Sequence, residues 1–428
     1  MHVAATLRFI APLALLLTLS CKGGPSEQEI DRWKAADARG QIAEALTSPK
    51  SKLNIRVKAA RALIELAADA HFADAFKKLD TATRAQVSEA LAAELEKLLG
   101  AGELAKEILG KDFLGLLILA GDEATAKAAG PKLMAWLGVD FARRVAMGRV
   151  SGLEIAKRIG VPGLPSLLAA FRPTADLVVL AKLVAGIGDA AGIAQAADKV
   201  AAIAKTQGPK VPERTLKALF TLGGPRAAVQ LATLAGDAQV SFPTRRAAAE
   251  EMRALAQPAA LQLAARLALD GDGDQLVRES ALVYMEKVCD AKSCGAHMDG
   301  LWSALKNQSL VFESASAIVK IGGAAQLAKL LETLPKGRRY TGKGVEALAD
   351  DIQKNIGAAA LPGLRGALDE KGPGTLVAVR ALAKLGTADD AKKLDAAKGD
   401  ETVPAGWRGK TTLGQECAKA AKEILARK

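Results

Sequence analysis

The sequence predicts an all-α chain organised as an α-solenoid, a stack of two-helix units that is less regular in its N-terminal third. Three observations predict it. Aromatic residues make up only 4% of the chain while half of it is hydrophobic, so the core must be Ala and Leu, which suits thin, closely packed helix layers. Val, Ile and Thr form no alternating runs bounded by turn signals, which argues against a sheet. Above all, one pattern repeats. Taking the last apolar residue of each expected first helix as a marker gives Ile159, Ile187, Leu222, Leu255, Val288, Ile321, Ile356 and Leu385. Successive spacings are 28, 35, 33, 33, 33, 35 and 29 residues, a near-constant period that an irregular bundle would not produce.

The most legible unit is 310–335. Val311, Ala315 and Ile318 recur at helical spacing in its first helix; Leu327, Leu330, Leu331 and Leu334 share one face of its second. Gly322-Gly323 forms the hinge, and glycine follows many other markers, at Gly160, Gly188, Gly223-Gly224, Gly357 and Gly386. Glycine adopts the left-handed conformation that ends a helix, so its recurrence marks one turn used repeatedly. A lone helix pair cannot hide its apolar stripe and must stack on similar neighbours.

The amino terminus carries a different signal. Arg8 precedes an apolar run, Phe9 to Leu19, that is short for a membrane span, and Ser20-Cys21 closes it. The segment Leu17-Thr18-Leu19-Ser20-Cys21 resembles a bacterial lipobox, departing from it at Thr18, where leucine is usual. The resemblance implies a signal peptide over 1–20, cleavage before Cys21, and lipid attached to that cysteine; an ordinary secretory signal is the alternative. Lys22 after the cysteine resembles the arrangement of outer-membrane lipoproteins more than that of inner-membrane ones. A short tether, 21–26, follows, and its residues from Lys22 to Ser26 span about 15–17 Å when extended. Ser26 and Glu29 then make an S-x-x-E capping box.

From 27 to 150 the chain reads as helical repeats, partly irregular. Ile55-Arg56-Val57-Lys58-Ala59-Ala60-Arg61-Ala62-Leu63 resembles the first-helix pattern of HEAT-type repeats, and the periodic region 151–428 resembles the same α-solenoid class. Phe113 to Leu119 is a seven-residue apolar run, read as buried helix. The class resemblance implies that second helices line a concave face on which partners bind. Lys329, Arg365 and Lys393 fall eight, nine and eight residues after their markers, so a basic column along that face is one expectation and chance placement the other.

Several stretches bear on chemistry. Cys289 and Cys294 replace the glycine hinge of one unit, and in an oxidising compartment close cysteines in a turn suggest a local disulfide. A metal site would recruit His297 but finds no fourth ligand. Trp407-Arg408-Gly409-Lys410-Thr411 has the end of a phosphate-loop motif, yet Pro404 stands where its first glycine belongs. Asp270 to Asp274 mimics a calcium loop, with Gln275 and Ala281 at positions requiring Gly and Glu. Three histidines, one of them in the expected signal peptide, sit in no recognisable catalytic motif. No catalytic residue, metal or cofactor is therefore expected.

The most basic loop is Lys336-Gly337-Arg338-Arg339-Tyr340-Thr341-Gly342-Lys343-Gly344, in a chain of net charge +12. Four cations beside an aromatic could meet phosphates, sugars or anionic lipid; a solvated loop is the plainer reading. The basic excess is spread rather than blocked, so a nucleic-acid face is not expected. The function expected first is a non-enzymatic, lipid-anchored envelope scaffold binding protein partners. The second is a binder of anionic envelope polymer or lipid. The third, implied by resemblance alone, is a relative of the HEAT-like lyases that attach bilins, or of their partners.

Overall fold

The computed structural model describes residues 24–427 other than 122, 272, 308, 337 and 338. The expected signal peptide, Cys21 and Arg338 lie outside the described residues. Among those described, the architecture is all-α and solenoid-like, with no β-strand and one isolated bridge between Tyr340 and Trp407. No described helix is long and apolar enough to cross a membrane.

Ser26 caps the first helix, Glu27–Ala35, with the expected box: Glu29 N–H donates to Ser26 Oγ at 3.3 Å, and Ser26 N–H to Glu29 Oε2 at 2.8 Å. Folded structure therefore starts within a few residues of Cys21. The chain forms two compact units, dividing between Ala170 and Phe171. The first unit runs 20 residues beyond the expected boundary at 150, because the helices Gly152–Ile159 and Leu164–Ala170 pack on Leu104–Ala120 and Glu123–Val139. The apolar run 113–119 lies in Leu104–Ala120 and buries Phe113, Leu114, Leu117 and Ile118.

In the first unit one layer holds Glu27–Ala35, Leu53–Glu65, Thr81–Leu99 and Glu123–Val139, each packed on the next; the other holds Arg39–Thr47, Asp69–Lys78, Leu104–Ala120 and Gly152–Ile159. Its irregular stretch has a specific cause. The buried Lys111 ammonium pairs with Asp112 at 2.7 Å and donates to the carbonyls of Met147, at 2.6 Å, and Val150. Asp112 in turn accepts from the N–H groups of Arg149 and Val150. This ion pair substitutes for helical hydrogen bonds in holding the turn 145–151, pairing the carbonyls of Met147 and Val150 and the N–H groups of Arg149 and Val150.

The second unit repeats more evenly. Its first-helix layer runs through Leu177–Ile187, Glu213–Leu222, Phe242–Leu255, Gln275–Val288, the first half of Val311–Thr333, Gly342–Asn355, Pro373–Leu385 and Leu413–Ala426. The second-helix layer runs through Ala190–Thr206, Gly224–Gly236, Leu261–Leu269, Met298–Leu305 and the second half of Val311–Thr333. Six of the eight markers end a helix, Ile159 in the first unit and Ile187, Leu222, Leu255, Val288 and Leu385 in the second, so the period read from sequence is the structural period. Within Val311–Thr333 the hinge is Gly323, at φ 56° and ψ −150°, a conformation closed to residues with a Cβ. After the marker Leu255, which no glycine follows, Ala256 adopts the left-handed turn, as Ala67 does after the helix Leu53–Glu65.

Part of the basic excess has a structural use. Near the ends of first helices, cationic side chains reach back to the last carbonyls of the preceding first helix. Lys287 donates to Arg253 O at 3.3 Å, Lys320 to Glu286 O and to Lys287 O at 3.0 Å, and Arg427 to Lys384 O and to Gly386 O at 3.1 Å. A positive charge on terminal carbonyls also suits the negative end of the helix dipole. Each such contact welds one unit to the next.

Candidate functional site

Two charged regions stand out, one in each unit. In the first, residues of Glu27–Ala35, Leu53–Glu65 and Thr81–Leu99 line a groove of roughly 650 Å³. Seven charged side chains face it, and all seven are paired. Lys58 bridges to Asp31 at 2.7 Å and Glu27 at 3.7 Å; Lys34 pairs with Glu65; Arg61 meets Glu65 at 2.8 Å and Glu94 at 3.2 Å. Burial works against the Glu65 carboxylate, but hydrogen bonds from Lys34 and Arg61 outweigh it and hold its pKa below the usual value. The groove is thus a ladder of ion pairs between successive first helices.

In the second unit the expected basic column does not stand as three free cations. Arg365 forms a fork on Asp390, Nε to Oδ1 at 2.7 Å and Nη2 to Oδ2 at 2.8 Å. That guanidinium, with Thr387 hydrogen bonds added against the cost of burial, holds the Asp390 carboxyl far below the ordinary carboxylate range. Arg365 therefore staples its unit to the next. Lys329 lies over the Trp302 ring, 4.5 Å from its centroid, a cation–π contact between second helices. Lys393 is solvent-exposed.

The loop around Tyr340 differs from the sequence expectation in one respect. Tyr340 is no surface aromatic. It is fully buried, its hydroxyl donates to Pro335 O at 2.9 Å, and its ring meets Phe312 edge-on at 5.8 Å. The phenol has an apolar pocket and a polar anchor, so it stabilises the loop rather than presenting a face to ligand. Its backbone reaches further: Tyr340 N–H donates to Gly406 O at 2.8 Å, and Arg408 N–H donates to Tyr340 O at 3.0 Å. The segment 407–411, dismissed from sequence as a phosphate loop, is thereby tied to the basic loop.

That second segment is itself tightly built. Trp407 is largely buried, and its indole N–H donates to Thr411 Oγ1 at 2.8 Å; Thr411 donates to Glu416 Oε1 at 2.6 Å. Glu416 pairs with Arg380. The Gly409 backbone lies so close to the indole that a Cβ would fall 2.1 Å from a ring carbon. Lys410 follows in the left-handed region, φ 57°, which a lysine occupies at a cost. Around this framework Lys336, Arg339, Lys343, Arg408 and Lys410 are all solvent-exposed, and none is ion-paired with a described carboxylate. Sequence reasoning missed Arg408 and Lys410. The only signal was the pair of Trp407-Arg408-Gly409-Lys410 with Lys336–Lys343 as two basic, glycine-rich loops, and nothing in the chain order brings them together.

The cysteines behave differently from one another. A disulfide joins Cys289 and Cys294, whose Cα atoms are 5.5 Å apart, and Asp290 caps the short turn between them by accepting from Ser293 N–H. Cys417 is free and buried in Leu413–Ala426; burial pushes its thiol up to about 11, so it stays protonated and inert at neutral pH. Asp274, from the calcium-loop mimic, caps Gln275–Val288 instead. No group of three potential ligands able to hold a metal occurs among the described residues. No protein-family model matches the chain, and no curated protein matches it either.

Proposed function

We propose that the protein is a non-enzymatic scaffold of the bacterial envelope, lipid-anchored through Cys21, which binds protein partners along its stacked helix pairs. The observation that carries this reading is the packing of each helix on its equivalent in the next unit. Exposed side chains from successive units then fall in rows, a surface suited to macromolecules rather than to one small substrate. The lipobox-like segment supports the anchor, and the capped helix starting at Glu27 supports a body held close to the membrane. By its resemblance to sorted lipoproteins, Lys22 favours the outer membrane.

Labelling with a fatty acid tests the anchor: native protein should take up label and Cys21→Ser should not, whereas an unlabelled native protein refutes it. Cross-linking in intact envelopes tests the scaffold. Discrete adducts with other proteins should form, at a yield that falls in Cys21→Ser; adducts only between copies of this chain contradict it. A second reading, binding of an anionic envelope polymer, is favoured by five exposed cations around Tyr340 and Trp407 that pair with no carboxylate among the described residues.

A further inference from the structure

Segments 339–343 and 406–410 are far apart in the chain, with Tyr340 and Arg408 68 residues apart, yet they share a backbone bridge. Along paired extended segments successive side chains point to opposite sides. Tyr340 and Trp407 point inward and are buried, so Arg339 and Arg408, the neighbours of each, leave on the outer side, where both are exposed. Gly342 packs near the Trp407 ring, the position of its would-be Cβ lying 3.7 Å from Cη2, and the exposed Lys343 follows it. Lys410 follows two residues after Arg408, and Lys336 follows the carbonyl that accepts the Tyr340 hydroxyl.

We propose that the described cations Lys336, Arg339, Lys343, Arg408 and Lys410 form one binding surface for a linear, phosphate-bearing polyanion. This rests on the anionic-polymer reading above and assigns it a place and a ligand class. The five cations issue from separate backbone positions on two loops, which matches a row of anions better than a single one. Both arginines can grip phosphate oxygens with two parallel N–H donors, and the lysines supply point charges beside them. The framework beneath is rigid: two backbone bonds, the Tyr340 anchor and the Trp407–Thr411–Glu416 chain fix it. The left-handed Lys410 is a strained residue of the kind that clusters at binding sites. A bilayer surface fits less well, because both aromatics that would seat in a membrane interface are turned inward.

The test uses the full chain and inorganic polyphosphate as probe, with anionic phospholipid vesicles in parallel. Arg339→Glu with Arg408→Glu should weaken polyphosphate binding at least roughly tenfold at moderate salt. Lys392→Glu with Lys398→Glu changes net charge equally, at lysines already paired with Asp389 and Asp395, and should weaken it less than about twofold. Thermal melting checks that each variant folds; if the arginine pair does not, Lys343→Gln with Lys410→Gln replaces it. Equal losses in both pairs overturn the site and leave binding by overall charge. No polyphosphate binding by native protein overturns the site and the polymer reading together. Vesicle binding without polyphosphate binding overturns the assignment to a polymer.

Discussion

The groove of the first unit carries three positive side chains and the loops of the second carry five, and the two regions use them oppositely. In the groove Lys34, Lys58 and Arg61 each have a carboxylate partner on a neighbouring helix. Around the Tyr340–Trp407 bridge, Lys336, Arg339, Lys343, Arg408 and Lys410 have none among the described residues. The first arrangement spends charge on stacking helices; the second leaves it facing solvent on a rigid base. Counting basic residues cannot separate the two, whereas following each cation to its partner can.

The framework beneath the loops is where the comparison can be broken most forcefully. Tyr340→Ala empties a fully buried site and removes the anchor to Pro335, so we expect a loss of about 3–5 kcal/mol in urea unfolding. Polyphosphate binding should fall as well, although no cation has been removed; unchanged binding would mean that the bridge does not position the cations.

Paired charge that is buried should matter more than paired charge on the surface. Lys111→Met leaves Asp112 without its cation inside the first unit. Because Asp112 keeps two backbone N–H donors, the cost should sit near the lower end of the range for a broken buried pair, about 3 kcal/mol. A change below the scatter of unfolding midpoints would show that those donors alone suffice.

The Arg365–Asp390 fork extends the same logic to pH. The folded carboxyl titrates well below the unfolded value of about 3.9. Its contribution is therefore complete above that value and lost as pH falls from there toward the folded pKa. Native protein and Asp390→Asn should differ in urea midpoint at pH 6, the gap should begin to narrow below about pH 4, and it should close only well below pH 3. A constant gap across that span would assign the difference to packing.

The repeat was legible because it is local. Marker residues, glycine hinges and the Ser26–Glu29 box depend on neighbours within four positions, and the structure places them where the spacing put them. Much of the disposition of the cations was not legible, because many of their partners are 25 to 43 residues away. Arg365 finds Asp390 and Arg427 finds the carbonyls of Lys384 and Gly386, contacts that no short motif encodes. Tyr340 was misread for the same reason: the residues that bury it, Phe312 and the chain at 406–408, lie outside its loop. Arg408 and Lys410 escaped notice because the phosphate-loop test asks about one segment, while this surface takes two.

The salt dependence of polyphosphate binding addresses the contrast most directly. The slope of log affinity against log salt counts the cations that displace counterions. Replacing Arg339, Arg408 and Lys410 by glutamine should make the slope shallower by roughly two units, at about 0.7 per cation. Replacing Lys58 and Arg61 by glutamine should leave it unchanged. Equal flattening in the two sets would contradict the division between paired structural charge and unpaired binding charge.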